Sequence, residues 1–70
     1  MKSRVRYYRQ ETGITQKELG KMAGVTRQTI NSLENGKYNP SLTLAYKITI
    51  ILGFKNIHDV FRFEKEDFED

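Results

Sequence analysis

Seventy residues with no cysteine and a formal net charge of +3 make one small domain that neither a disulfide nor a thiolate metal site can brace. No apolar run approaches the roughly 18 residues of a membrane span, and MKSRVRYYRQ at the amino terminus lacks the apolar stretch of a signal peptide, so a soluble, cytoplasmic protein is expected. The charge is uneven: residues 1–55 hold ten Lys and Arg against three acids, and residues 56–70 hold two against six, a basic body that suits a polyanionic partner.

Five short helices are predicted. The first runs from about Ser3, as N-cap, to Thr12, with Val5 and Tyr8 facing inward, Tyr7 outward and Gly13 as the stop. Ile14 follows the turn. The second runs from Thr15 to Ala23. Thr15 and Glu18 have the spacing of a capping box, Leu19, Met22 and Ala23 supply the apolar face, and Gly24 ends it. The third spans about Thr26 to Asn35, where Asn35-Gly36 offers two residues that tolerate left-handed backbone angles. Asn39-Pro40 forces an extended step and Ser41 caps the fourth helix, Leu42 to about Leu52. Its broad apolar stripe is Leu44, Ala45, Ile48, Ile51 and Leu52, and Gly53 stops it. A fifth helix is expected from Asn56, its N-cap, to Phe61. The alternation Phe61-Arg62-Phe63-Glu64 then suits a short strand within Val60 to Glu64.

The third helix raises a question of chemistry. Ile30 and Leu33, three apart, form its inner face, while the rest is Arg27, Gln28, Thr29, Asn31 and Ser32. Surface helices usually fill such a face with Glu and Lys; this one, Arg27 apart, offers neutral donors and acceptors. Gly20 in mid-helix would cost about 1 kcal/mol relative to Ala, which points to a close approach by the neighbouring segment. Gly24 suits the turn between two steeply crossing helices, where positive φ is needed.

Residues 15–40, TQKELGKMAGVTRQTINSLENGKYNP, resemble the helix-turn-helix of the Cro/CI-type (XRE) repressor family, and the likeness extends over about residues 2–62. The resemblance implies an all-α, compact five-helix bundle of the lambda-repressor-like type, with a short strand-like tail. Its third helix would lie in the major groove of double-stranded DNA. The domain would be residues 1–62, followed by an acidic tail, 63–70. By the family's pattern, base contacts fall on Arg27, Gln28, Thr29 and Ser32, with Asn31 a further one. Arg27 suits guanine O6 and N7, Gln28 adenine N6 and N7, and the Thr29 methyl thymine. Gln16 matches the family's phosphate clamp at a helix N-terminus. The turn Asn35-Gly36-Lys37-Tyr38 matches a second clamp through backbone N–H groups and side chains, and Thr26 caps its helix, contacts phosphate, or both. Arg9 and Glu34 match a family ion pair joining the first helix to the third.

A chain this short buries only about 60% of its unfolded surface and usually needs tight packing or a partner. Ile57, Val60, Phe61 and Phe63 on a lone domain would form a sizeable apolar patch. Short members of the family dimerise through the segment after the fourth helix, so a twofold homodimer through the fifth helix and Val60 to Glu64 is expected, the alternative being that these residues only cover the domain's own core. It would set two recognition helices about 34 Å apart and read an inverted repeat. A lone histidine, His58, and the absence of cysteine leave no triad and no metal cage, so no enzyme, metal or cofactor is expected. The alternative class is a protein-interaction module, or the antitoxin of a toxin pair. Apolar or acidic residues on the third helix would mark the module; Arg27, Gln28, Thr29 and Asn31 beside Lys37 favour a DNA-binding regulator.

Overall fold

A two-residue strand near each end of the chain ties the fold together. The computed structural model describes residues 1–64; most of the acidic tail, residues 65–70, lies outside the described residues. The order is β1 (Lys2–Ser3), α1 (Val5–Thr12), α2 (Gln16–Ala23), α3 (Arg27–Glu34), α4 (Leu42–Ile51), a 3-10 turn (Ile57–Asp59) and β2 (Phe61–Arg62). β1 and β2 pair antiparallel, Lys2 opposite Arg62 and Ser3 opposite Phe61, and the Arg4 N–H extends the ladder to the Val60 carbonyl at 2.8 Å.

Local chemistry sets most boundaries. Thr15 caps α2 by accepting from the Glu18 N–H, and the Glu18 carboxylate returns the bond to the Thr15 N–H at 2.9 Å, which completes the capping box. Thr26 and Ser41 cap α3 and α4 through their hydroxyls. Gly24 closes α2 at φ +79, a conformation that strains any residue with a Cβ. Gly20 is wedged: a Cβ there would lie 2.8 Å from the Val25 carbonyl oxygen, so the close approach is to the turn itself.

The four helices, β2 and Val60 just before it supply the core. Val5, Leu19, Ile30, Leu33, Ile48, Val60 and Phe61 are sealed from solvent, and Tyr8 packs partly buried against Phe54 with ring centroids 4.4 Å apart. Thr49 is buried as well, and its hydroxyl donates to the Ala45 carbonyl at 2.8 Å, so no polar group is stranded there.

Several sequence expectations are corrected. The fold is mostly helical, with four α-helices and a strand pair, not an all-α five-helix bundle. The fifth helix shrinks to the 3-10 turn Ile57–Asp59. Asn56 does cap it, accepting from the His58 N–H, but the backbone leaves the turn at Val60 so that Phe61 and Arg62 can pair with β1. β-branched and aromatic residues favour that extended course. Ser3 is not a helix cap; its backbone is committed to β1, and α1 begins at Val5 after an Arg4 that makes no side-chain cap. Asn35 ends α3 with φ −90, and only Gly36 is left-handed, at φ +73. Met22 is 55% exposed rather than core. Val60 and Phe61, expected on a dimer face, are wholly buried in the subunit's own core, because pairing with β1 turns them inward.

Candidate nucleic-acid interface

α2, the turn at Gly24 and α3 place the recognition candidates on one side of the molecule. Arg27 and Gln28, in the first turn of α3, are exposed, and neither makes a hydrogen bond or ion pair among the described residues. Asn31 is exposed one turn later; Thr29 and Ser32 are half-buried. The Thr29 hydroxyl is turned to Thr26 Oγ1 at 3.0 Å, which leaves its methyl as the group for a base. Thr26 accepts from the Thr29 N–H at 3.1 Å and so serves as cap.

A shallow cleft lies at the N-terminus of α2, lined by Arg9, Thr15, Gln16, Lys17 and Arg27. The first N–H groups of a helix have no intrahelical acceptor, and the helix dipole there favours an anion. Lys17 and Arg27 add two cationic side chains. This cleft has the chemistry of a phosphate site. Gln16 fits it in part only: its side-chain NH2 is engaged by Asn31 Oδ1 at 3.2 Å and Glu34 Oε1 at 3.1 Å, so a phosphate would meet its backbone N–H.

The second expected clamp is corrected in detail. The N–H groups of Asn35, Gly36 and Lys37 close the end of α3 by donating to the carbonyls of Asn31, Leu33 and Ser32. They are therefore unavailable to a phosphate. The side chains of Lys37 and Tyr38 remain, both exposed. The Asn35 side chain, though exposed, is engaged by Arg6 Nη2 at 2.7 Å and by Asn31 at 3.4 Å.

The predicted ion pair exists and is larger than expected. Arg9 Nε lies 2.7 Å from Glu34 Oε2, its Nη2 lies 3.2 Å from Oε1, and its Nη1 donates to the Ile14 carbonyl at 3.0 Å. Arg6 adds a third guanidinium contact, Nε to Glu34 Oε1 at 3.3 Å. The Glu34 side chain is 0% exposed. Burial alone would raise its pKa, but hydrogen bonds from Arg9, Gln16 and Arg6 outweigh that and hold the carboxyl below the ordinary glutamate range. The single acid of α3 is thus paired within the protein, and Arg27 and Gln28 have no acidic neighbour on the exposed face of their own helix.

Arg6, Lys17 and the apolar outer face of α4 were not singled out in the sequence. Arg6 stands one helical turn before Arg9, and that spacing was the available signal.

The sequence profile of the Helix-turn-helix family matches residues 5–59. The chain belongs to this helix-turn-helix family. The relationship agrees with the Cro/CI-type (XRE) resemblance carried by residues 15–40. Relatives named as uncharacterized HTH-type transcriptional regulators include one from Archaeoglobus fulgidus, 51% identical over 67 residues and covering 96% of this chain and 94% of its own. Another, from Methanothermobacter thermautotrophicus, is 47% identical over 66 residues, covering 94% of this chain and 96% of its own. The structure is similar to the N-terminal DNA binding domain of SinR from Bacillus subtilis, with a TM-score of 0.74 and 28% identity over 89% of this chain and 90% of that one. This helix-turn-helix protein is accordingly a DNA-binding member of a transcriptional-regulator family. No helix among the described residues is long and apolar enough to cross a membrane.

Proposed function

We propose that this helix-turn-helix protein is a sequence-specific double-stranded DNA-binding regulator, a repressor that controls its own gene and reads an inverted repeat as a homodimer. α3 enters the major groove. The observation that carries this reading is the unpartnered, exposed pair Arg27 and Gln28 at the start of α3, beside the cationic cleft at the N-terminus of α2. A donor or acceptor that is to read a base must be uncommitted within the protein. Arg27 then meets guanine O6 and N7, and Gln28 meets adenine N6 and N7. Thr29 and Ser32 border that contact. Lys17 and Lys37, with Tyr38 and the N–H groups opening α2, hold the phosphates and set the pose.

The homodimer uses a different apolar face from Val60 and Phe61, which the core consumes. α4 is apolar nearly all round, yet Leu42 is 75% and Tyr46 52% exposed. A helix hydrophobic on every side belongs in an interior. Leu42, Thr43, Tyr46, Lys55, Asn56 and Ile57 line one continuous, mostly apolar cleft. A second copy across it would cover these side chains and Ile57, one of the residues expected at the interface from sequence. Phe63, 42% exposed, borders the buried end of β2.

The test is fluorescence anisotropy with the duplex just upstream of this protein's own gene, against a shuffled duplex, at about 50 and 200 mM salt. Preference for the native duplex that survives the higher salt is the expected result. Equal binding to both that collapses with salt would overturn autoregulation through this duplex.

A further inference from the structure

Asn31 sits on the outer face of α3, and two side-chain amides converge on its carbonyl oxygen. Gln16 Nε2 lies 3.2 Å from Asn31 Oδ1, and Asn35 Nδ2 lies 3.4 Å from the same atom. Each of these amides is itself held one way round. Gln16 sets the same NH2 3.1 Å from Glu34 Oε1, an ionised carboxylate that only accepts. Asn35 sets its own oxygen 2.7 Å from Arg6 Nη2, a guanidinium that only donates. Turning Gln16 over would place oxygen against carboxylate. Turning Asn35 over would place NH2 against guanidinium. Two relays, one starting from an anion and one from a cation, thus impose the same polarity on Asn31. Its oxygen faces the protein, and its NH2, with no partner among the described residues, faces out.

We infer that Asn31 is a donor-only base reader that takes a guanine edge, its amide polarity set by Arg6 and Glu34 through Asn35 and Gln16. The inference rests on the DNA-reading function proposed above and names the base that one position of the helix selects. The bidentate pairing of asparagine with adenine needs the side-chain oxygen for N6–H2 as well as the NH2 for N7. Here the oxygen already accepts two bonds, so that pairing is closed. Cytosine presents an N4–H2 donor in the major groove and meets a second donor. Adenine N7 and thymine O4 each offer the outward NH2 one acceptor, beside a competing donor in adenine and a bulky methyl in thymine, whereas guanine presents two acceptors, O6 and N7. The Arg9–Glu34 pair is a structural brace, and the same carboxylate also orients a recognition side chain that it does not touch.

The experiment is competitive binding to a duplex library randomised over the half-site. It compares the wild-type protein with Asn31→Ala, Asn31→Asp and the double variant Gln16→Ala/Asn35→Ala, each checked for fold by circular dichroism. The wild type should select guanine at one base pair by about fivefold or more over adenine, cytosine and thymine. Asn31→Ala should flatten that position to within about twofold and leave the other selected positions selective. Asn31→Asp keeps an oxygen toward Gln16 and Asn35 but has no NH2, and should lose the guanine preference as the alanine variant does. The double variant releases the amide and should admit adenine at the same base pair. A double variant that keeps the full guanine preference would overturn the relay. If the wild type shows no sequence preference at all, the DNA-reading function falls and this inference falls with it. If the wild type is selective, three results overturn the inference alone. Asn31→Ala flattens no position, or it weakens every sequence equally, as loss of a phosphate contact would, or the position it flattens prefers adenine, cytosine or thymine.

Discussion

The Val25 N–H donates to the Gly20 carbonyl at 2.8 Å, and the Val25 carbonyl oxygen lies 2.8 Å from where a Gly20 Cβ would stand. The turn of the helix-turn-helix therefore rests directly on α2, with glycine as the spacer. Alanine at position 20 would recover about 1 kcal/mol of helix propensity. The obstructing atoms are backbone, including Thr26 at 3.2 Å, and cannot swing aside as a long side chain would. Overpacking of this kind costs about 1–3 kcal/mol. Gly20→Ala should therefore be less stable, by up to about 2 kcal/mol net, read from the urea midpoint at unchanged slope. A variant as stable as wild type would show that α2 and the turn slide apart at little cost.

Glu34 is the junction of α1, α2 and α3. Glu34→Ala would leave the Arg9 guanidinium, whose side chain is only 11% exposed, without its partner. Breaking a buried pair from one side costs about 3–5 kcal/mol. That is a large share of the stability of a small domain, so a strong fall in thermal midpoint is expected.

The same carboxyl makes stability depend on acid. Its pKa in the folded protein is lowered, so its contribution is full above the unfolded value, near 4.5, where both states are ionised. As the pH falls below that value the unfolded chain takes up the proton first, and the contribution fades until the folded carboxyl is protonated too. Thermal melts between pH 7 and pH 3 should show a wild-type midpoint that falls more steeply at the acid end than that of Glu34→Gln. Parallel curves would remove Glu34 from the acid response.

Arg27 and Gln28 are predicted to carry discrimination. Arg27→Ala or Gln28→Ala should cost about 1–3 kcal/mol on the selected duplex and little on random DNA. Lys37→Ala should weaken both alike and reduce the slope of log affinity against log salt by about one unit. Titrations at several salt concentrations separate the two classes. Equal losses on both duplexes for Arg27→Ala would sink its role as a base reader.

Phe61 and Tyr46 should respond in different measurements. Phe61 is sealed in the core, so Phe61→Ala should cost about 3–5 kcal/mol of stability, whatever the state of association. Tyr46→Asp falls on the outer face of α4 and should leave the fold intact while shifting sedimentation toward monomer. An unchanged sedimentation profile would move the proposed contact away from α4.

Much of the recognition unit could be read locally. Thr15 with Glu18, Thr26, Ser41, Gly24 and the glycine at 20 act within a turn or two of themselves, so residue type and spacing specify them before any tertiary contact forms. The same applies to the inner stripe of Ile30 and Leu33, which also fixes by elimination the outward face of Arg27, Gln28 and Asn31. The partner of Glu34 was legible as well, because Arg9 matches a family pattern.

Tertiary structure decided the rest. β1 and β2 are two residues each and lie some sixty positions apart, too short and too distant for any local pattern to announce the pairing. That pairing turned a predicted helix into a 3-10 turn and drew Val60 and Phe61 into the core. The convergence of Arg6, Gln16 and Asn35 on Glu34 and Asn31 joins three separate segments, and hydrogen-bond polarity exists only once those segments are packed. Sequence determined which side chains α3 turns to solvent, because helical periodicity and capping are local. Packing decided which of their atoms point outward, because an amide takes its direction from neighbours that the chain brings together only on folding.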